Sequence, residues 1–142
     1  MTLRKIIQQY HTAADDFSRG DPGPVKTIFS HQDDVTLANP FGPAVRGWKN
    51  VEEALDFASS HFRDGKVTGF ETISEFATRN LATIYEVERW KAKVGERDEI
   101  ASFDLRVTST FRREEGTWKL VHRHADPIAT PHPDGPLRST GS

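Results

Sequence analysis

The stretch DEIASFDLRVTSTFRREEGTWKLVHRHAD, residues 98–126, decides the fold. Its apolar side chains Phe103, Leu105, Val107 and Phe111 alternate with Asp104, Arg106, Thr108, Thr110 and Arg112. That period of two belongs to a strand with one covered face. Glu115-Gly116 predicts a tight turn into a second strand, which pairs Phe111 with Leu120, Val107 with His124 and Leu105 with Asp126. A turn longer by one residue would set Leu120 against Thr110 and mix core with surface, because a slip of one reverses every side chain. Directly paired residues share a face, so Trp118, Leu120, His122 and His124 are expected to point inward, and Lys119 and Arg123 outward.

The same logic carries backwards through Gly95-Glu96. It pairs Trp90 with Ala101, Glu88 with Phe103 and Glu86 with Leu105, so that Ile84, Glu86, Glu88 and Trp90 join the inner face. Strands are expected over Val67–Ala77, Leu81–Val94, Asp98–Arg113 and Thr117–Ala125, joined by short turns as an antiparallel meander. Ahead of Gly65 the spacing is helical. Leu3 to Arg19 carries Ile6, Ile7, Tyr10, Ala13, Ala14 and Phe17 on one face, with Thr2 as cap and Gly20 as stop. Asp21-Pro22 opens a short second helix, and Val35 to Asn39 reads as a strand cut off by Pro40, Gly42 and Pro43. A third helix is expected with Asn50 and Glu53 as a capping box, a stripe from Val51 to Phe62, and Gly65 at its end. Helices first and strands later on one core predict an α+β fold, a curved sheet with the helices on one side.

A chain of 142 residues suits one domain, expected over residues 1–126, followed by a Pro/Gly-rich tail over 127–142, PIATPHPDGPLRSTGS. The net charge of −2 with interleaved signs argues against a nucleic-acid partner or an anionic membrane surface. No apolar run approaches the roughly 20 residues of a membrane span, and the N-terminus lacks a signal-peptide core. The absence of cysteine excludes a disulfide scaffold, a thiolate zinc site and cysteine catalysis, and fits a cytoplasmic location.

Two glutamates and two histidines on an inner face are costly in a dry core, since a buried ion destabilises by several kcal/mol unless paired. Part of that face is therefore expected to wall a cavity. An imidazole beside a carboxylate is the chemistry of proton transfer, with His124 as general acid/base and Glu86 as its orienting carboxylate. The same groups could instead satisfy one another within the wall. His122, Glu88 and Asn39 are the candidate polar contacts to a ligand, Asn39 being open equally to a role in the turn before Pro40. Tyr10, Phe41, Trp48 and Trp90 are the candidate aromatic lining. His122 and His124 with a glutamate lack a defined further ligand, so no metal is expected, and no cofactor is implied. Arg106 is assigned outward, and His11 and His61 are placed on exposed helix flanks.

Four stretches resemble the nuclear-transport-factor-2-like superfamily, the group that holds SnoaL-like polyketide cyclases and ketosteroid isomerases. They are Arg19–Pro22 (RGDP), Asp34–Gly42 (DVTLANPFG), Arg46–Trp48 (RGW) and the closing hairpin Phe111–Asp126 (FRREEGTWKLVHRHAD). The resemblance implies a cone: a strongly bent antiparallel sheet wrapped around three N-terminal helices, with a ligand cavity at its open end. It also implies a homodimer through the outer sheet face, where Tyr85 and Val87 would lie. The isomerases carry an aspartate base where this chain has Asn39, and an amide takes no proton at neutral pH. Their helix-one tyrosine falls at Ala13, one turn after Tyr10. Steroid isomerisation is therefore not expected. The function expected is that of a SnoaL-like pocket protein for a small apolar compound bearing a carbonyl or hydroxyl, with acid/base isomerisation, dehydration or cyclisation as the enzymatic form. A non-catalytic ligand-binding or protein-association domain is the alternative.

Overall fold

The helical spacing at the start of the chain builds α1, Leu3–Ser18, whose face of Ile6, Ile7, Tyr10, Ala13, Ala14 and Phe17 is buried. Its cap is the expected one: the Lys5 amide donates to Thr2 Oγ1 at 3.2 Å. The computed structural model describes residues 1–128, so the expected tail lies outside the described residues apart from its first two. A short helix α2, Gly23–Ile28, follows, then β1, Thr36–Asn39, and β2, Gly42–Arg46. Helix α3 covers Trp48–Ser59, and four strands complete the chain: β3 Phe62–Ala77, β4 Leu81–Val94, β5 Ala101–Glu114 and β6 Thr117–Pro127.

The six strands form one sheet in the order β2-β1-β6-β5-β4-β3, with the helices packed on its inner face around a shared apolar core. This is the expected α+β cone, with one difference. β1 runs parallel to β6, so the sheet is mixed, and only its β3-to-β6 part is the antiparallel meander. The extra strand β2 holds Pro43 on the sheet edge, where the missing amide leaves no ladder bond broken. Irregular pairing at three points along β3 bends the sheet around the helices.

The third helix departs from the sequence reading at both ends. Its N-cap is Gly47, without a side-chain cap, while Asn50 Nδ2 donates to the Arg46 carbonyl. Phe62 and Gly65 belong to β3 rather than to the helix. Gly65 has a different task from stopping a helix: a Cβ there would run into the Ser18 carbonyl at the end of α1. The missing side chain thus lets α1 lie directly on the sheet.

Across β4 and β5 the predicted faces are correct. Ile84, Glu86, Glu88 and Trp90 are buried, as are Leu105, Val107 and Phe111. The partners sit two residues further along than expected, with Trp90 opposite Phe103 and Glu88 opposite Leu105, because the connecting loop is longer; an even slip keeps the faces. In β6 the faces change midway. Glu115 and Gly116 form the tight turn with φ of 50° and 82°, and Phe111 faces Leu120 as expected. A bulge then inserts one residue, so that Thr110 pairs with His122, Ser109 with Arg123, Thr108 with His124 and Val107 with Ala125. His122 and His124 therefore point outward and Arg123 and Ala125 inward, the reverse of the sequence expectation. The bulge buries both Leu120 and Val121, and it puts the cation of Arg123 rather than two imidazoles on the inner face, against Glu88.

Gly65→Ala is expected to destabilise the fold by about 1–3 kcal/mol, since neither backbone can give way locally. Urea unfolding followed by circular dichroism measures it; an unchanged midpoint would mean that α1 does not seat on β3 as described.

Candidate functional site

Glu88 projects from the middle of β4 into the core and is wholly buried, at 0% exposure. Both of its oxygens are occupied. Tyr10, from α1, donates its hydroxyl to Oε2 at 2.6 Å. Trp90 Nε1 and Arg123 Nη2 donate to Oε1, each at 3.0 Å. Arg123 also donates from Nε to the Tyr10 oxygen at 2.8 Å, which closes the set into a ring. Charge-assisted bonds of this kind are what make a buried carboxylate tolerable.

The electrostatics of the ring are mutually consistent. Burial raises the Tyr10 pKa and the Glu88 charge adds to that, outweighing the opposing pull of Arg123, so Tyr10 remains a neutral donor. Burial alone would lower the pKa of Arg123, but Tyr10 and Glu88 together raise it, so its guanidinium stays charged. The Arg123 side chain is 13% exposed, and what it meets beyond the ring is a cavity.

That cavity has a volume of about 210 Å³ and opens between α1, α3 and the concave face of the sheet. Its wall is made by apolar groups such as Phe17, Leu37, Leu55, Phe62, Phe103 and Leu105, together with Tyr10, Asn39, Trp90 and Arg123. Asn39 stands where β1 ends. Its Oδ1 accepts the Phe41 amide at 2.9 Å, the turn role foreseen as one of its two readings. Phe41 packs edge-on against Phe62 and stacks on His61, with centroids 5.4 and 4.8 Å apart.

Of the residues singled out in the sequence, Tyr10, Asn39, Phe41 and Trp90 come together on this wall, and Glu88 lies directly behind it. The others are dispersed. Glu86 is buried, but its partner is His11, whose Nε2 lies 2.9 and 3.1 Å from the two carboxylate oxygens while its ring stacks on Phe70 at 3.7 Å. His11 is thus no simple surface residue. Trp48 stacks on His31 at 3.9 Å, away from the cavity wall. His122 lies on the outer face, its Nδ1 2.8 Å from Thr36 Oγ1, with a pKa lowered by burial and then by the neighbouring His124. His124 lines a shallow outer depression with Tyr85, Arg106, Thr108 and Asp126. Glu86 and His124 are on opposite sides of the sheet, and the expected acid–base pair does not form.

Arg123 is the site residue that the sequence reading missed. The signal was present in Val121 and Ala125, two apolar residues on the face assigned to solvent; strict alternation would have exposed both. Among the described residues there is no cluster of three His, Asp or Glu side chains fit to hold a metal ion, and no helix is long and apolar enough to cross a membrane.

A mixed sheet wrapped over three helices, with a cavity under its concave face, defines the nuclear-transport-factor-2-like class. The SnoaL-like domain model matches residues 3–130, and the chain belongs to that family. Solved structures agree. An NTF2-like superfamily protein from Salmonella enterica serovar Typhimurium LT2 is 17% identical, with a TM-score of 0.75 and 92% of each chain covered. A ketosteroid isomerase-like protein from Erwinia carotovora atroseptica is also 17% identical, with a TM-score of 0.73 over 90% of this chain and 95% of that one. A proposed dehydratase of the NTF2-like family from Streptomyces avermitilis is 16% identical, with a TM-score of 0.72 over 90% and 95%. At such identities the likeness establishes the fold. No curated protein matches the sequence.

Arg123→Met should cost about 3–5 kcal/mol, because it strands Glu88 without its cation. Adding Glu88→Gln should return a large part of that loss. A double-mutant cycle in urea measures the coupling; additive effects would mean that the two groups are not a pair.

Proposed function

We propose that this SnoaL-like domain binds a small apolar compound carrying a carbonyl or hydroxyl oxygen, and that it holds the compound without turning it over. The observation that carries this reading is the cavity itself: about 210 Å³ of apolar space with a guanidinium on its wall. An empty apolar cavity of about 150 Å³ is enough to admit benzene, so a substituted six-membered ring is within reach. Ligand sites generally take this form, an apolar body with a few placed polar groups.

The acid/base version depended on His124, which stands behind the sheet. Proton abstraction needs a base within hydrogen-bond reach of the substrate. Among the described residues on the cavity wall there is neither an imidazole nor a carboxylate. Glu88 is held back by three donors and Glu86 is engaged by His11. These features favour retention of a ligand over chemistry on it.

Native mass spectrometry of the purified protein should show an adduct of one small neutral compound that disappears on mild activation. Ala14→Leu, which extends α1 into the cavity, should abolish the adduct and leave the far-ultraviolet circular dichroism unchanged. An adduct that persists in this variant, or the failure of both acetophenone and 1-phenylethanol to bind the unmodified protein in a methyl-detected NMR titration, would overturn the binding reading.

A further inference from the structure

The ring of hydrogen bonds around Glu88 also restricts what the polar end of a ligand can be. We infer, on the basis of the binding reading above, that the ligand presents a neutral hydrogen-bond acceptor, a carbonyl oxygen, to Arg123 and Asn39, and that the site disfavours both a hydroxyl and a carboxylate in that place.

The side-chain acceptors near the cavity are already engaged. Glu88 takes three bonds, the Tyr10 oxygen takes the Arg123 Nε proton while giving its own to Glu88, and Asn39 Oδ1 takes the Phe41 amide. What remains is donors. Arg123 uses Nε and Nη2 within the ring, and among the described residues Nη1 has no partner. Asn39 Oδ1 already holds the turn, and its Nδ2 likewise has no partner among the described residues. Leu37 pairs with Arg123 across β1 and β6, and Asn39 lies two residues further along β1, so both donors come from adjacent strands of one wall.

A carbonyl oxygen accepts from both donors and brings no proton of its own. A hydroxyl brings a donor as well, and each of these side-chain acceptors already holds a bond, so its proton has to compete for a remaining lone pair, and a poorly matched buried donor is penalised. A carboxylate would satisfy the donors but upset the charge. Arg123 and Glu88 already neutralise each other, and Arg123 is the one charged side chain among the described residues on the wall. The added anion would be taken out of water with no net cation to meet it. Neutral carbonyl compounds of modest size, such as ketones, aldehydes or esters on an apolar body, are therefore the class that fits.

Four probes of similar size separate the alternatives: acetophenone, 1-phenylethanol, benzoate and toluene, each titrated at pH 7.5 and followed by methyl NMR. Acetophenone should bind at least about tenfold more tightly than the other three. Asn39→Asp keeps an oxygen for the Phe41 amide and replaces the free donor with an acceptor; it should weaken acetophenone about tenfold with the melting temperature retained. Arg123→Lys, which preserves the charge facing Glu88, should also remove most of the preference. If 1-phenylethanol, benzoate or toluene binds as tightly as acetophenone, or if Asn39→Asp changes nothing, the acceptor assignment is wrong while the pocket stands. If none of the four enters, the binding reading fails with it.

Discussion

A carboxylate at the centre of an apolar core is the constraint around which this molecule is built. Glu88 cannot be left unpaired without a cost of several kcal/mol, and its neighbours on β4 and α1 supply neutral donors only. The cation comes from the last strand. Arg123 reaches Glu88 because β6 carries one extra residue after Leu120, which turns the odd-numbered positions of its second half inward. Tyr10 then ties the pair to α1, so helix, central strand and final strand meet at one buried point.

That arrangement also shapes the hollow. The bulge delivers Arg123 to the wall, β1 pairs in parallel with the same part of β6 and delivers Asn39, and Pro127 ends the wall opposite Leu105. The other described residues on the cavity wall are apolar or aromatic. The Glu86–His11 pair is a second, separate solution to the same problem: another carboxylate on the inner face of β4, matched this time by an imidazole from the flank of α1 and a stacking phenylalanine from β3. Two glutamates on one strand thus receive two different partners, and only one of them borders the cavity.

Much of this was legible in the residues. The period of two in β4 and β5 identified Ile84, Glu86, Glu88 and Trp90 as inward-facing, and the closing hairpin pointed to the SnoaL-like family that the domain model supports. Inward glutamates do demand partners, but a strict alternation through Val121 points to His122 and His124 where the structure supplies Arg123 and His11. A bulge changes side-chain parity without any turn residue to announce it, and the only trace in the sequence is a pair of adjacent apolar residues followed by an alanine on the supposed outer face. The short strand β2 was hidden for a related reason: Pro43 and Gly42 read as loop residues, yet an edge strand tolerates both. The contact of His11 with Glu86 lay beyond reach too, since it depends on how a helix is rotated over a bent sheet rather than on spacing within the helix.

The pairing of the last two strands is therefore the point on which this account rests, and cross-strand nuclear Overhauser effects along the backbone report it directly. Contacts are expected between Ser109 and Arg123 and between Thr108 and His124, with Arg123 side-chain protons close to the Tyr10 ring. Contacts pairing Val107 with His124, and an Arg123 side chain seen only by solvent, would contradict it.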